Sequence, residues 1–190
     1  MTIQHIISTI NKELISAFAL LDRTFDEDEE FLSFSSGGWT VGQILEHVTL
    51  TNHYLLLLIK KGADKAIRRA ETIELNEAMF DQYEFVTPAM EEIAAPTSFQ
   101  WINPDHMNPS GKEPLDQVRS TLRHQLGECL DQLDLLKNGE GILHTTTMTV
   151  NNLGKLDVYQ YIYFLTLHVK RHIAQIEKLF VEYEDTMEMG

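Results

Sequence analysis

The sequence predicts an all-α protein, a four-helix bundle with a long connection between helices two and three. Three observations lead there. Four segments repeat apolar residues with the 3.6-residue period of a buried helix face. Two of the four open on a reciprocal cap, Thr40 with Gln43 and Asp157 with Gln160, in which residues three apart satisfy each other's free N–H groups. Between the second and third segments, Pro88, Pro96, Pro104 and Pro109 break any regular period across residues 63–111.

The first helix is expected over residues 3–21, where Ile3, Ile6, Ile7, Ile10, Leu14, Ala17, Phe18 and Leu21 share one face. The acidic run Asp26–Glu30 reads as a solvated loop. Trp39 precedes the Thr40 cap and is placed to staple onto the core. The second helix is expected from Val41 to about Lys61, with Gly62 as its left-handed stop. With His47 as zero, Gln43, Ile44, Leu50, Thr51, Tyr54 and Leu58 fall within about 80°, so His47 faces the core while His53 falls outside the arc.

Residues 63–111 read as a connection carrying one or two short helices. Trp101 and His106 lie in it, as loop-packing or exposed residues or as the rim of a pocket. Pro114 suits the first turn of helix three. Leu115, Val118, Leu122, Leu126, Cys129, Leu130, Leu133 and Leu136 carry that helix to Lys137, and Gly139 or Gly141 ends it. Cys129 is expected to be a buried thiol, and His124 to be exposed. His144–Val150 is β-branched and extended, and residues 151–155 form a turn before the last helix, which contains Tyr159–Phe180.

The composition narrows the function. The chain has 190 residues, enough for one domain spanning 1–190 with a sizeable core, and 43% are apolar. Its formal charge of −14 opposes binding to nucleic acid and to anionic membrane surfaces. A single cysteine rules out an internal disulfide and a Cys-rich zinc site. No leader peptide or membrane span is apparent, so a cytoplasmic protein is expected. G-x-S-x-G, a phosphate-cradling Gly loop and C-x-x-C are all absent.

The chemistry concentrates in His168-Val-Lys-Arg-His172. Taking Leu165 as zero at about 100° per residue, His168 and His172 fall inside the apolar arc of the last helix. Gln160, Lys170, Arg171, Ala174, Glu177 and Lys178 lie on the opposite side. Two imidazoles four apart share a helix face and can reach one point. With His47 they make three inward histidines on facing helices, either three separately satisfied core residues or one ligand set for Zn²⁺, Ni²⁺ or Fe²⁺. Three protein ligands leave a coordination position open, as catalytic sites do. No glutamate follows His168, so the zinc-protease motif is excluded, and paired E-x-x-H motifs of di-iron bundles are missing.

Three stretches resemble the DinB/YfiT-like superfamily: Gly37-Gly38-Trp39-Thr40-Val41-Gly42-Gln43-Ile44-Leu45-Glu46-His47, Leu153-Gly154-Lys155-Leu156, and His168-Val-Lys-Arg-His172-Ile-Ala-Gln175-Ile176-Glu177. The resemblance implies a four-helix bundle, often a homodimer, with one divalent metal on His47, His168 and His172. It also implies a small-molecule substrate and the chemistry of relatives that are S-transferases or isomerases using a low-molecular-weight thiol. Gln43, one turn before His47, is a further candidate for supporting that ligand. Two functions follow as expectations: a metal-dependent thiol S-transferase or hydrolase, or a non-catalytic bundle with a structural metal that serves binding or dimerisation.

Overall fold

The computed structural model describes residues 2–81, 83–97 and 104–188, and the chain is mostly helical. Among these residues four helices exceed twenty residues: α1 (Ile3–Arg23), α2 (Val41–Ala70), α3 (Leu115–Leu135) and α4 (Val158–Glu188). Helix α1 packs against α3 and α4, and α2 packs against the same two. Their apolar faces meet in one core, with Ile6, Ile10 and Leu14 from α1, Ile44 and Val48 from α2, Leu122 and Cys129 from α3, and Ile162 and Leu165 from α4. Each such side chain contributes roughly 1.5–3 kcal/mol by leaving water.

Both predicted caps form. Thr40 Oγ1 accepts from Gln43 N at 3.1 Å and Gln43 Oε1 from Thr40 N at 3.0 Å. Asp157 Oδ1 accepts from Gln160 N and Gln160 Oε1 from Asp157 N, both at 3.0 Å. Cys129 is buried, whereas His53 and His124 are exposed. The acidic run is solvated, although Asp28 caps a single helical turn, Glu29–Leu32, inside it.

The expected end of helix two is wrong. Gly62 does not stop α2, which continues to Ala70. A Cβ at Gly62 would sit 3.2 Å from Val158 Cγ2, so the glycine lets α2 approach the start of α4. That packing outweighs the roughly 1 kcal/mol that glycine costs inside a helix. The last helix contains Tyr159–Phe180 as expected and spans Val158–Glu188.

The turn at residues 151–155 needs a similar correction. Gly154–Asp157 is a strand, β2, paired antiparallel with β1 (Thr145–Met148), and Asn151 and Asn152 take positive φ in the loop between them. The connection from 71 to 114 holds single turns at Ala78–Asp81, Pro88–Glu91, Glu92–Ala94 and Asp105–Met107. It covers part of the side of α4 that lies opposite the apolar arc, while Glu177 and Lys178 on that side stay exposed. Gln160 is buried there and donates to Glu84 and Phe85 carbonyls, and Arg171 donates to the Ala95 and Pro96 carbonyls. Trp101 lies outside the described residues.

Candidate metal centre

Helix α2 supplies His47, and α4 supplies His168 and His172 one turn apart. All three are buried, at 5%, 1% and 7% exposure, and one nitrogen from each lies within 4.8 Å of the others. The ring centroids are separated by 5.4 Å (His47–His168), 4.8 Å (His47–His172) and 4.5 Å (His168–His172). The three sequence-predicted residues thus come together, and a metal ion could be held among them.

The tautomers bear on what the cluster can bind. His47 Nδ1 lies 2.8 Å from the Met107 carbonyl, which only accepts, so Nδ1 carries the proton and Nε2 keeps its lone pair. His172 Nδ1 lies 3.0 Å from Gln175 Oε1, and the same logic leaves His172 Nε2 unprotonated, with its lone pair free to accept or to coordinate. That atom is 3.1 Å from His168 Nε2. Nitrogens at that distance repel unless a proton or a cation lies between them. The donor set therefore suits a divalent transition metal, which imidazole ligates in its neutral form.

The electrostatics agree with this. Burial holds the pKa of all three rings below the ordinary histidine value: His47 through desolvation against the opposing Met107 bond, His168 through desolvation and then its two neighbours, and His172 at about 3. The imidazoles are neutral at physiological pH, as ligands must be.

A segment from the connection holds this geometry. Glu46, next to His47 in sequence and itself buried, accepts from Ser110 N, Ser110 Oγ and Gly111 N, each at 2.8 Å. Gly111 has φ of +69°, and a Cβ there would meet Gln43 Nε2 at 2.9 Å, so the turn needs glycine. This clamp fixes the chain that presents the Met107 carbonyl to His47. The Trp39 ring packs on His47 at 4.8 Å, so the expected staple lands on a residue of the cluster. Gln43 serves the cap, and the glutamine that bonds a cluster histidine is Gln175. Gln175 lies three residues beyond His172, a spacing that predicts contact on a helix. Met107, Ser110 and Gly111 lie in aperiodic sequence and carry no comparable signal.

His47 and His168 open on a cavity of about 300 Å³. Leu55, Leu58, Val150 and Phe164 form much of its wall, and Thr51 Oγ1 lies 3.4 Å from His47 Nε2. His106 stays exposed and packs edge-on against Tyr54, a residue of the wall, at 4.5 Å.

Fold and site together define an all-α protein with a buried three-histidine cluster beside an apolar cavity. A family model of the DinB superfamily matches residues 13–176, and the chain belongs to that superfamily. The match contains all three histidines and Gln175. No curated protein and no solved structure matched the chain. Membership and the cluster together suggest a metal-dependent function. None of the helices among the described residues is long and apolar enough to cross a membrane.

Proposed function

We propose that the protein is a metal-dependent enzyme acting on a small molecule, as an S-transferase or a hydrolase, with His47, His168 and His172 holding one divalent ion. The whole chain would form one four-helix-bundle domain, in the cytoplasm and as a homodimer. The observation that carries the reading is the junction of three buried neutral imidazoles with a ligand-sized cavity. A purely structural metal needs no such cavity at two of its ligands. A bound divalent ion would supply a positive charge that lowers the pKa of bound water, or of a bound thiol, toward neutrality. The chain's own groups do the rest: Met107 and Gln175 fix the ring tautomers, Thr51 offers a hydroxyl beside His47, and Leu55, Leu58 and Phe164 offer an apolar wall to the substrate.

The test pairs metal content with turnover. Purified protein is expected to carry close to one divalent ion per chain by elemental analysis, and His168→Ala to lose it. Metal-loaded protein is then assayed with activated esters and with a thiol plus an aryl halide. A protein that takes up no Zn²⁺, Ni²⁺ or Fe²⁺, and whose melting temperature is unmoved by all three His→Ala changes, overturns the proposal.

A further inference from the structure

The cavity also constrains what enters it. We infer that it takes a small molecule whose body is uncharged and largely apolar, and disfavours one that carries a carboxylate at the end away from the histidines. The inference rests on the same site as the proposed function, but on its walls rather than its ligands.

Among the described residues that line the cavity there is no Lys, Arg, Asp or Glu. Residues 98–103 bring none either, because they read Ser-Phe-Gln-Trp-Ile-Asn. The charged residues adjoining the ligands in sequence are already engaged. Glu46 is bound to Ser110 and Gly111, and Arg171 to the Ala95 and Pro96 carbonyls. What the walls offer is hydrocarbon and hydroxyl. Leu55, Leu58 and Phe164 supply the first, and Thr51, Thr147 and Tyr161 the second, with the Tyr161 hydroxyl already donating to the Thr147 carbonyl.

A carboxylate held against this wall, away from the histidines and any ion on them, gives up its water and meets no guanidinium or ammonium group among the described lining residues. The chain's formal charge of −14 adds a long-range field that repels anions before they arrive. A neutral molecule with one polar head toward the histidines and an apolar body against Leu55, Leu58 and Phe164 meets neither obstacle. The volume, about 300 Å³, is at the small end of ligand cavities.

The experiment compares benzyl mercaptan with 4-(mercaptomethyl)benzoate by calorimetric titration, on zinc-loaded and on metal-free protein, with zinc content measured separately. The neutral thiol is expected to bind at least about tenfold more tightly, and raising the salt concentration to recover only part of the difference. Thr147→Lys, an exposed position whose backbone bond to Tyr161 is unaffected, places an ammonium group at the wall and is expected to close or reverse the gap. Equal or tighter binding of the carboxylate by the unsubstituted protein overturns the inference. If no zinc is retained, the proposed metal centre fails, and the same pair of titrations on metal-free protein still decides the question of charge.

Discussion

Two of the buried polar clusters among the described residues differ in what they leave over. Around Asp157 the network closes on itself. Asp157 accepts from Gln160 N and from the Tyr83 hydroxyl at 2.5 Å, and Gln160 accepts from Asp157 N and donates to Glu84 and Phe85 carbonyls. The histidine cluster is built the other way. Its outer nitrogens on His47 and His172 are tied to Met107 and Gln175, while His172 Nε2 faces His168 Nε2 and one nitrogen of each of the three rings lies within 4.8 Å of the others. Buried polarity alone therefore does not mark a site. A network whose bonds close on themselves holds the fold, and one whose ring nitrogens converge could in addition hold an ion.

The largest expected effect separates the two clusters by metal. A divalent ion at about a thousand times its dissociation constant stabilises the folded state by about 4 kcal/mol. For a chain of this size that raises the melting temperature by about 8–16 °C. Calorimetry of the zinc-loaded protein is expected to show this rise and its reversal by chelator. Asp157→Asn should keep the whole response and His168→Ala should lose it. A response that survives His168→Ala would place the metal elsewhere.

Next comes the closed network. Asp157→Ala removes the cap of α4 and leaves the Tyr83 hydroxyl buried without its acceptor, together about 2–4 kcal/mol. Asp157→Asn retains an acceptor for Gln160 N and is expected to cost far less. Urea unfolding of the two variants checks this, and a loss of similar size in both would mean that the charge, rather than the bonds, holds the network.

Gln175 against Gln43 sharpens the comparison further. Both glutamines lie near a cluster histidine in sequence, but only Gln175 bonds one. Gln175→Leu is expected to weaken zinc binding by about 10–100-fold, as loss of a ligand's outer partner does. Gln43→Ala should leave the affinity unchanged and cost about 0.5–1 kcal/mol of stability through the cap. Competition titration with a chromophoric chelator reads the first, and thermal melting the second. Equal zinc affinities in the two variants would remove Gln175 from the site.

Much of this contrast is legible in the sequence. Helical spacing alone puts His168 and His172 on the apolar arc and turns His47 inward, because the period fixes direction wherever a helix is long. It fails where a third party intervenes. Gly62 reads as a stop, since glycine disfavours helix, but close approach to Val158 decides otherwise. Gln160 and Arg171 read as solvated, because periodicity cannot register a connection laid over the outer face of α4. The Met107 carbonyl is a backbone group placed by the Glu46 clamp, so no residue type announces it.

The smallest effect is a pair of opposed pH slopes in metal-free protein. Burial keeps the folded histidines neutral, so below pH 6.5 the unfolded chain binds protons that the folded chain refuses. Stability from this cluster falls as pH drops from 6.5 toward about 3, the value reached by His172. Asp157 has the reverse sign. Burial raises its pKa from 3.8 to about 6, so in that window the folded chain holds a proton the unfolded chain has lost. Its contribution falls as pH rises from 3.8 to about 6. The two slopes oppose each other where the windows overlap. Asp157→Asn removes one of them, so its stability relative to the unsubstituted protein should climb through that window and level off above it. Denaturant midpoints taken at steps of pH measure the difference directly. Parallel profiles for the two proteins would show that Asp157 titrates as an ordinary solvated carboxylate, and that its network is not closed to water.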